Sequence, residues 1–163
     1  MVSLGHKDIG IISGPQQYYS SKERLEGFVE TLNGLGVDVP KNRVIEGKNS
    51  FESGIECARQ LLIQSPRVKA IFANNDEMAA GVLKVAHEMG ITVPDELSVA
   101  GFDDNLLAAR VIPALTTVQR PVGDMAAIAA RKIIAHIEGS EVSETETYLV
   151  KPHLIIRDSI KKV

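Results

Sequence analysis

Short apolar runs alternate with longer amphipathic stretches along nearly the whole chain, and this alternation restricts the fold more than any single residue. "IGIISG" (Ile9 to Gly14) is rich in β-branched residues and reads as a buried strand. Ser21 to Gly36 carries Leu25, Phe28, Val29 and Leu32 at helical spacing, with Gly34 and Gly36 as stop signals. Arg43 to Gly47 reads as a second strand. Ser50 to Gln64 follows as a second helix, with Ser50 as N-cap and Ser53 as a further candidate. "VKAIFANN" is a third strand, and Asp76 to Met89 a helix that stops at Gly90. Leu97 to Asp104 and Leu115 to Gln119 are further strands, Gly123 to Glu138 a fourth helix, and "YLVKPHLIIRDS" is strand-like with Pro152 marking an edge or a break. Continuous apolar strands separated by helices predict an α/β fold: a parallel sheet flanked by helices on both faces. A length of 163 residues, 44% of them hydrophobic, suits one domain.

Several function classes lack their signals. The net charge is −3 and no basic stripe stands out, so the chain does not read as a nucleic-acid binder by itself. Cys57 is alone and reads as a buried small apolar residue; one cysteine cannot form an intrachain disulfide, which points to a reducing, cytoplasmic setting. No apolar run approaches the roughly 20 residues of a membrane span. The start "MVSLGHKDIG" lacks the basic and apolar regions of a signal peptide. There is no phosphate-binding GxxxxGK[ST] loop, no HExxH and no CxxC pair. The expectation is a protein that is not an enzyme and carries no metal or cofactor.

In doubly covered parallel sheets, ligands sit beyond the carboxyl ends of the strands. Gly14 to Tyr19, the run Asn74, Asn75 and Asp76, and the pair Asp103 and Asp104 all fall there and are expected to share one rim. Arg24 adds a fork of donors from the first helix, and Tyr18 and Tyr19 add aromatic faces. Carboxylate, amide, guanidinium and aromatic faces together suit a polyhydroxylated ring. Plainer readings stand beside this one. Asp76 is the expected N-cap of the third helix, Asp104 a cap or turn residue, and Asn74 a locally bonded one. Arg24 suits a surface ion pair as well as a ligand, and Tyr18 and Tyr19 suit loop cover. Asn75 and Asp103 suit turn chemistry as well as ligand contact. His6 reads as loop packing, and His87, His136 and His153 as isolated residues.

The order "LGHKDIGIISGP", "RLEGF", "FANNDEMAAGVLKVAHEMGITVPDELSVAGFDD", "IPALTTVQRPVGDMAAIAARKI" and "IIRDS" resembles the lactose- and purine-repressor family of bacterial transcriptional regulators over Leu4 to Ser159. The resemblance implies the second, C-terminal lobe of an effector-binding domain built like periplasmic sugar-binding proteins, occupying residues 1–163. On that reading the DNA-binding segment and most of the first lobe lie outside the chain, and residues 120–144 cross to that first lobe. The apolar face of the fourth helix (Met125, Ile128, Ala129, Ile133, Ile137) then lacks its usual cover.

Carried over by position, Arg24, Asn75 and Asp103 match the family's effector-contacting residues. Asn49 stands where relatives often have an aromatic residue that stacks on the ligand, so Tyr18 or Tyr19 is the alternative stacking face. Arg120 stands where relatives commonly have Gln; it suits either a hinge surface or an anionic effector such as a phosphorylated sugar or sugar acid. The implied partners are a small sugar effector, a second copy of the chain through Met78–Met89 and Leu106–Ile112, and operator DNA only through the segment outside the chain; no membrane is expected. The rival readings are a sugar-binding receptor of a transport system, a regulator controlled by a partner protein, and a flavodoxin-like enzyme. The last would need a better phosphate loop than "SGPQQYY".

Overall fold

The structure, a computed structural model, describes residues 1–139 and 147–163. Six strands form one sheet: β1 (Ile9–Ser13), β2 (Val44–Glu46), β3 (Ala70–Ala73), β4 (Ser98–Asp103), β5 (Thr116–Gln119) and β6 (His153–Ile155), in the order β2-β1-β3-β4-β5-β6. All neighbours are parallel except β5 and β6, where Thr117 to Gln119 run antiparallel to Ile155 to His153. The expected parallel sheet therefore gains one antiparallel edge. β6 begins directly after Pro152, which can donate no ladder hydrogen bond and so defines where that edge starts.

The helices are α1 (Tyr19–Gly34), α2 (Phe51–Leu62), α3 (Asp76–Glu88) and α4 (Val122–Ile137). Strand side chains alternate between the two faces, as a period of two requires. Ile12, Ile71, Ala73 and Val99 point into a core shared with α2 and α3 that includes Leu61, Met78, Val82 and Val85. Ile9, Ile11, Ala70, Phe72 and Ala100 point the other way, where α1 brings Leu25, Phe28, Val29 and Leu32. Phe28 stacks on Phe72 with ring centroids 4.4 Å apart.

The α2–α3 contact is close because of two glycines. A Cβ on Gly81 would sit 2.6 Å from the Phe51 carbonyl oxygen, and one on Gly54 would sit 2.6 Å from Met78 Cα. Ser50 and Ser53 start α2 as a capping box: Ser53 N–H donates to Ser50 Oγ at 3.2 Å, and Ser50 N–H to Ser53 Oγ at 3.3 Å.

α4 stands apart, with no buried residue. Of its apolar face, Met125, Ile133 and Ile137 are exposed by 52%, 61% and 76%, so among the described residues nothing covers them. Part of the stretch expected to leave this lobe, residues 140–144, lies outside the described residues. Among the described residues no helix is long and apolar enough to cross a membrane. Cys57 is buried, and burial pushes its thiol above its ordinary pKa, as expected of a packing residue. His6 is also buried and bonds the Lys161 carbonyl oxygen at 2.9 Å, while His87, His136 and His153 are exposed.

Candidate functional site

The carboxyl ends of β1, β3, β4 and β5 bring together most of the polar residues singled out in the sequence. Gly14 ends the first of them. A Cβ there would lie 2.5 Å from Ser21 Oγ and 2.7 Å from Asn49 Oδ1, so only glycine leaves room for what gathers above it.

That gathering is an asparagine cluster. Asn74 is buried, and its Nδ2 donates to Asn49 Oδ1 at 2.8 Å and to Ser21 Oγ at 3.4 Å. The local bonding expected for Asn74 is corrected: its partners come from two distant segments. Asn75 Nδ2 donates to the Asn49 carbonyl oxygen at 2.9 Å, and Asn75 Oδ1 accepts from Met78 N–H at 2.9 Å. Asn49 sits at φ 60, a left-handed conformation that asparagine tolerates better than most residues. It is thus a bridge for both neighbours and presents no stacking face.

The N-cap expectation also needs correcting. Asn75, not Asp76, caps α3. Asp76 is drawn inward instead: Oδ1 accepts from the Thr117 hydroxyl, and Oδ2 from Asn105 N–H at 2.9 Å. Burial raises its carboxyl above the ordinary pKa; those two hydrogen bonds oppose the rise, and Asp103 and Asp104 add to it.

Beyond the cluster lie the charged groups. Asp103 has φ 117, a backbone conformation that side-chain-bearing residues rarely adopt. Arg120 Nε lies 2.8 Å from its Oδ1. Arg24, reaching over from α1, donates to the Asn74 carbonyl oxygen and places its guanidinium carbon 3.7 Å from the centre of the Phe102 ring. Burial raises the Asp103 carboxyl despite the opposing pull of Arg120 and Arg24. Burial also lowers the Arg24 guanidinium, against the attraction of Asp103. Tyr18 and Tyr19 are exposed at the start of α1.

Sequence reasoning missed Arg157. Its guanidinium pairs with Asp104 Oδ1 at 2.6 Å and donates to the Leu115 carbonyl oxygen at 2.8 Å, while Gln119 Nε2 holds the other Asp104 oxygen at 2.9 Å. Asp104 is therefore part of an ion-pair network as well as a left-handed turn residue at φ 56. The "RDS" ending contained this arginine, but nothing local tied it to an aspartate so far back in the chain.

The expected dimer surface is corrected in part. Met78, Ala79, Ala80, Val82, Leu83, Val85 and Ala86 of Met78–Met89 are buried inside this chain; Lys84, His87, Glu88 and Met89 face outward. In Leu106–Ile112, Ala108 is buried, while Leu106 and Ile112 are 73% and 94% exposed. A groove of about 710 Å³ lies on the other side of the sheet, between α1, β4, β5 and residues 1–4. Its walls are apolar, and it meets the charged rim at Arg24 and Phe102. Among the described residues no group of His, Cys, Asp and Glu is placed to hold a metal ion.

A mainly parallel sheet covered on both faces, with amide, carboxylate and guanidinium groups along its carboxyl rim, is the layout of one lobe of a periplasmic-type binding fold. The comparisons agree. The family described as periplasmic binding protein-like domain matches residues 1–160, and the chain belongs to it. Its relatives are regulators of the LacI and PurR kind. It is 36% identical to the HTH-type transcriptional repressor PurR of Salmonella paratyphi B, over 98% of this chain and 47% of the repressor. Among solved structures it resembles a transcriptional regulator CelR–cellobiose complex, with TM-score 0.90 and 34% identity over 97% of this chain and 48% of that one. It also resembles a sugar-binding LacI-family transcriptional regulator from Escherichia coli complexed with phosphate, with TM-score 0.91 and 33% identity over 99% of this chain and 58% of that one. The chain spans about half the length of the curated relatives it matches.

Proposed function

We propose that the chain is the effector-sensing lobe of a cytoplasmic, DNA-binding transcriptional repressor. It binds a small sugar or sugar derivative in a cleft between this lobe and a second one, and couples that binding to operator affinity. The observation that carries this reading is the convergence of Arg24, Asn75, Asp103 and Arg120 at the carboxyl rim of one sheet. Donors and acceptors alternate there as ring hydroxyls require, with Phe102 and the exposed Tyr18 offering apolar faces. Asn75 is already committed to its helix cap and to Asn49, which leaves it one free amide hydrogen to offer.

The uncovered apolar face of α4 supports a two-lobed whole, in which that helix packs on the other lobe. A ligand that contacts both lobes binds the closed form better and shifts the population toward it. In a dimer that shift changes the spacing of the DNA-reading segments. Leu106 and Ile112 are the apolar side chains that the second of the two expected dimer stretches leaves available.

The test is an amide-resolved NMR titration of the chain with pentoses, hexoses, their phosphates and purines. Shifts confined to residues around Arg24, Asn75, Asp103 and Arg120 are the expected outcome. A complete absence of shifts there, with every ligand in the panel, would count against the reading.

A further inference from the structure

One guanidinium of the rim has an open edge. Arg120 turns Nε toward Asp103 at 2.8 Å. A guanidinium presents two edges, each able to bind a pair of anionic oxygens. With the Nε side engaged by Asp103, the opposite edge, Nη1 and Nη2, has no hydrogen-bond partner among the described residues. The Arg120 side chain is 50% exposed, so that edge is reachable.

The other acidic groups of the rim have partners of their own. Asp104 is held by Arg157 at 2.6 Å and by Gln119. Asp76 is buried under Thr117 and Asn105. Glu46, on the β2 side, accepts from Gln16 N–H at 3.3 Å and has Lys48 close by in sequence. Arg24 and Arg120 both attract Asp103, and Asp103 takes up only the Nε side of Arg120. A neutral polyol leaves the open edge of Arg120 without an ionic partner, and an anionic group supplies one.

We propose that the ligand of this rim carries a phosphate or a carboxylate on a polyhydroxylated body, and that Arg120 binds the anion through its Nη1–Nη2 edge. Asp103 plays two parts: it fixes the Arg120 guanidinium, and its remaining oxygen accepts from hydroxyls. Arg24 is anchored to the Asn74 carbonyl and to Phe102, and it supplies long-range attraction. This inference rests on the effector-site reading above and names the chemical class of ligand for it.

The test is a titration of the isotope-labelled chain, read by amide NMR, with ribose, ribose 5-phosphate, glucose, glucose 6-phosphate, gluconate and inorganic phosphate. It is repeated on Arg120→Gln and Arg120→Lys. At least one anionic member binds about tenfold or more tightly than its neutral counterpart, since hydrogen bonds to charged groups contribute that much. R120Q loses that advantage, so that anionic and neutral members bind it alike; R120K retains part of it. The ranking of gluconate against the phosphates identifies which anion the site takes. Equal binding of neutral and anionic members overturns the inference, as does an anion preference that survives R120Q. Inorganic phosphate binding as tightly as the sugar phosphates also overturns it, because the polyhydroxylated body then contributes nothing. Neutral sugars shifting the rim without any anion preference leave the sensor reading standing, whereas a rim that no sugar moves removes both.

Discussion

α3 and α4 each follow a strand of the same sheet and each carry an apolar stripe, yet they end in opposite surroundings. α3 buries Met78, Ala79, Ala80, Val82, Leu83, Val85 and Ala86. α4 buries nothing, although Met125, Ile128, Ile133 and Ile137 recur on it at helical spacing. The difference lies in what each helix has beside it. The small residues of α3, Ala79, Ala80 and Gly81, let α2 and the sheet come close, so the cover is found within the chain. α4 also has small residues, Ala126, Ala127, Ala129 and Ala130, but among the described residues no helix packs on it as α2 packs on α3. An apolar stripe states that a face wants cover; it does not say where the cover comes from.

The sharpest way to break this contrast is to truncate one side chain on each helix. Met78→Ala removes a fully buried side chain beneath α2 and is expected to destabilise the chain by about 2–5 kcal/mol, read as a lowered urea midpoint. Removing the cap of the same helix comes next. Asn75→Ala deletes the acceptor for Met78 N–H and the donor to Asn49, an expected loss of about 1–2 kcal/mol; a change within experimental error would show that Asp76 takes over the cap. The smallest effect belongs to α4. Ile133→Ala changes the stability of the isolated chain by less than about 0.5 kcal/mol. A loss as large as that of M78A would mean that α4 is covered in solution, and sedimentation would then show the chain self-associated.

The sequence made the sheet and all four helices readable because each obeys a local rule. Ile9, Ile11 and Ile12 mark a strand buried on both faces; Leu25, Phe28, Val29 and Leu32 mark a helix; Ser50 and Ser53 mark a cap. The rim was readable at a coarser grain, since strand ends are where such sheets place ligands. What was not readable depends on partners far away in the chain. Asn75 and Asp76 are both good caps by type, and only Thr117 and Asn105 decide which of them turns inward. Arg157 meets Asp104 across 53 residues, and no short-range pattern announces such a pair. The apolar stripe of α3 looks the same whether its cover is α2 or a second molecule, so the pattern alone did not say which side of Met78–Met89 faces outward.

The backbone at Asp103 sets how such a site can change. At φ 117 the main chain favours glycine, and any residue with a side chain is strained there. Arg120 follows an ordinary strand and can be exchanged without disturbing the main chain. The two members of one ion pair therefore differ in mutability: the backbone narrows the choice at 103 and leaves 120 free to vary. Descendants of such a chain would retune their ligand at 120 first, because an exchange there leaves the main chain as it is.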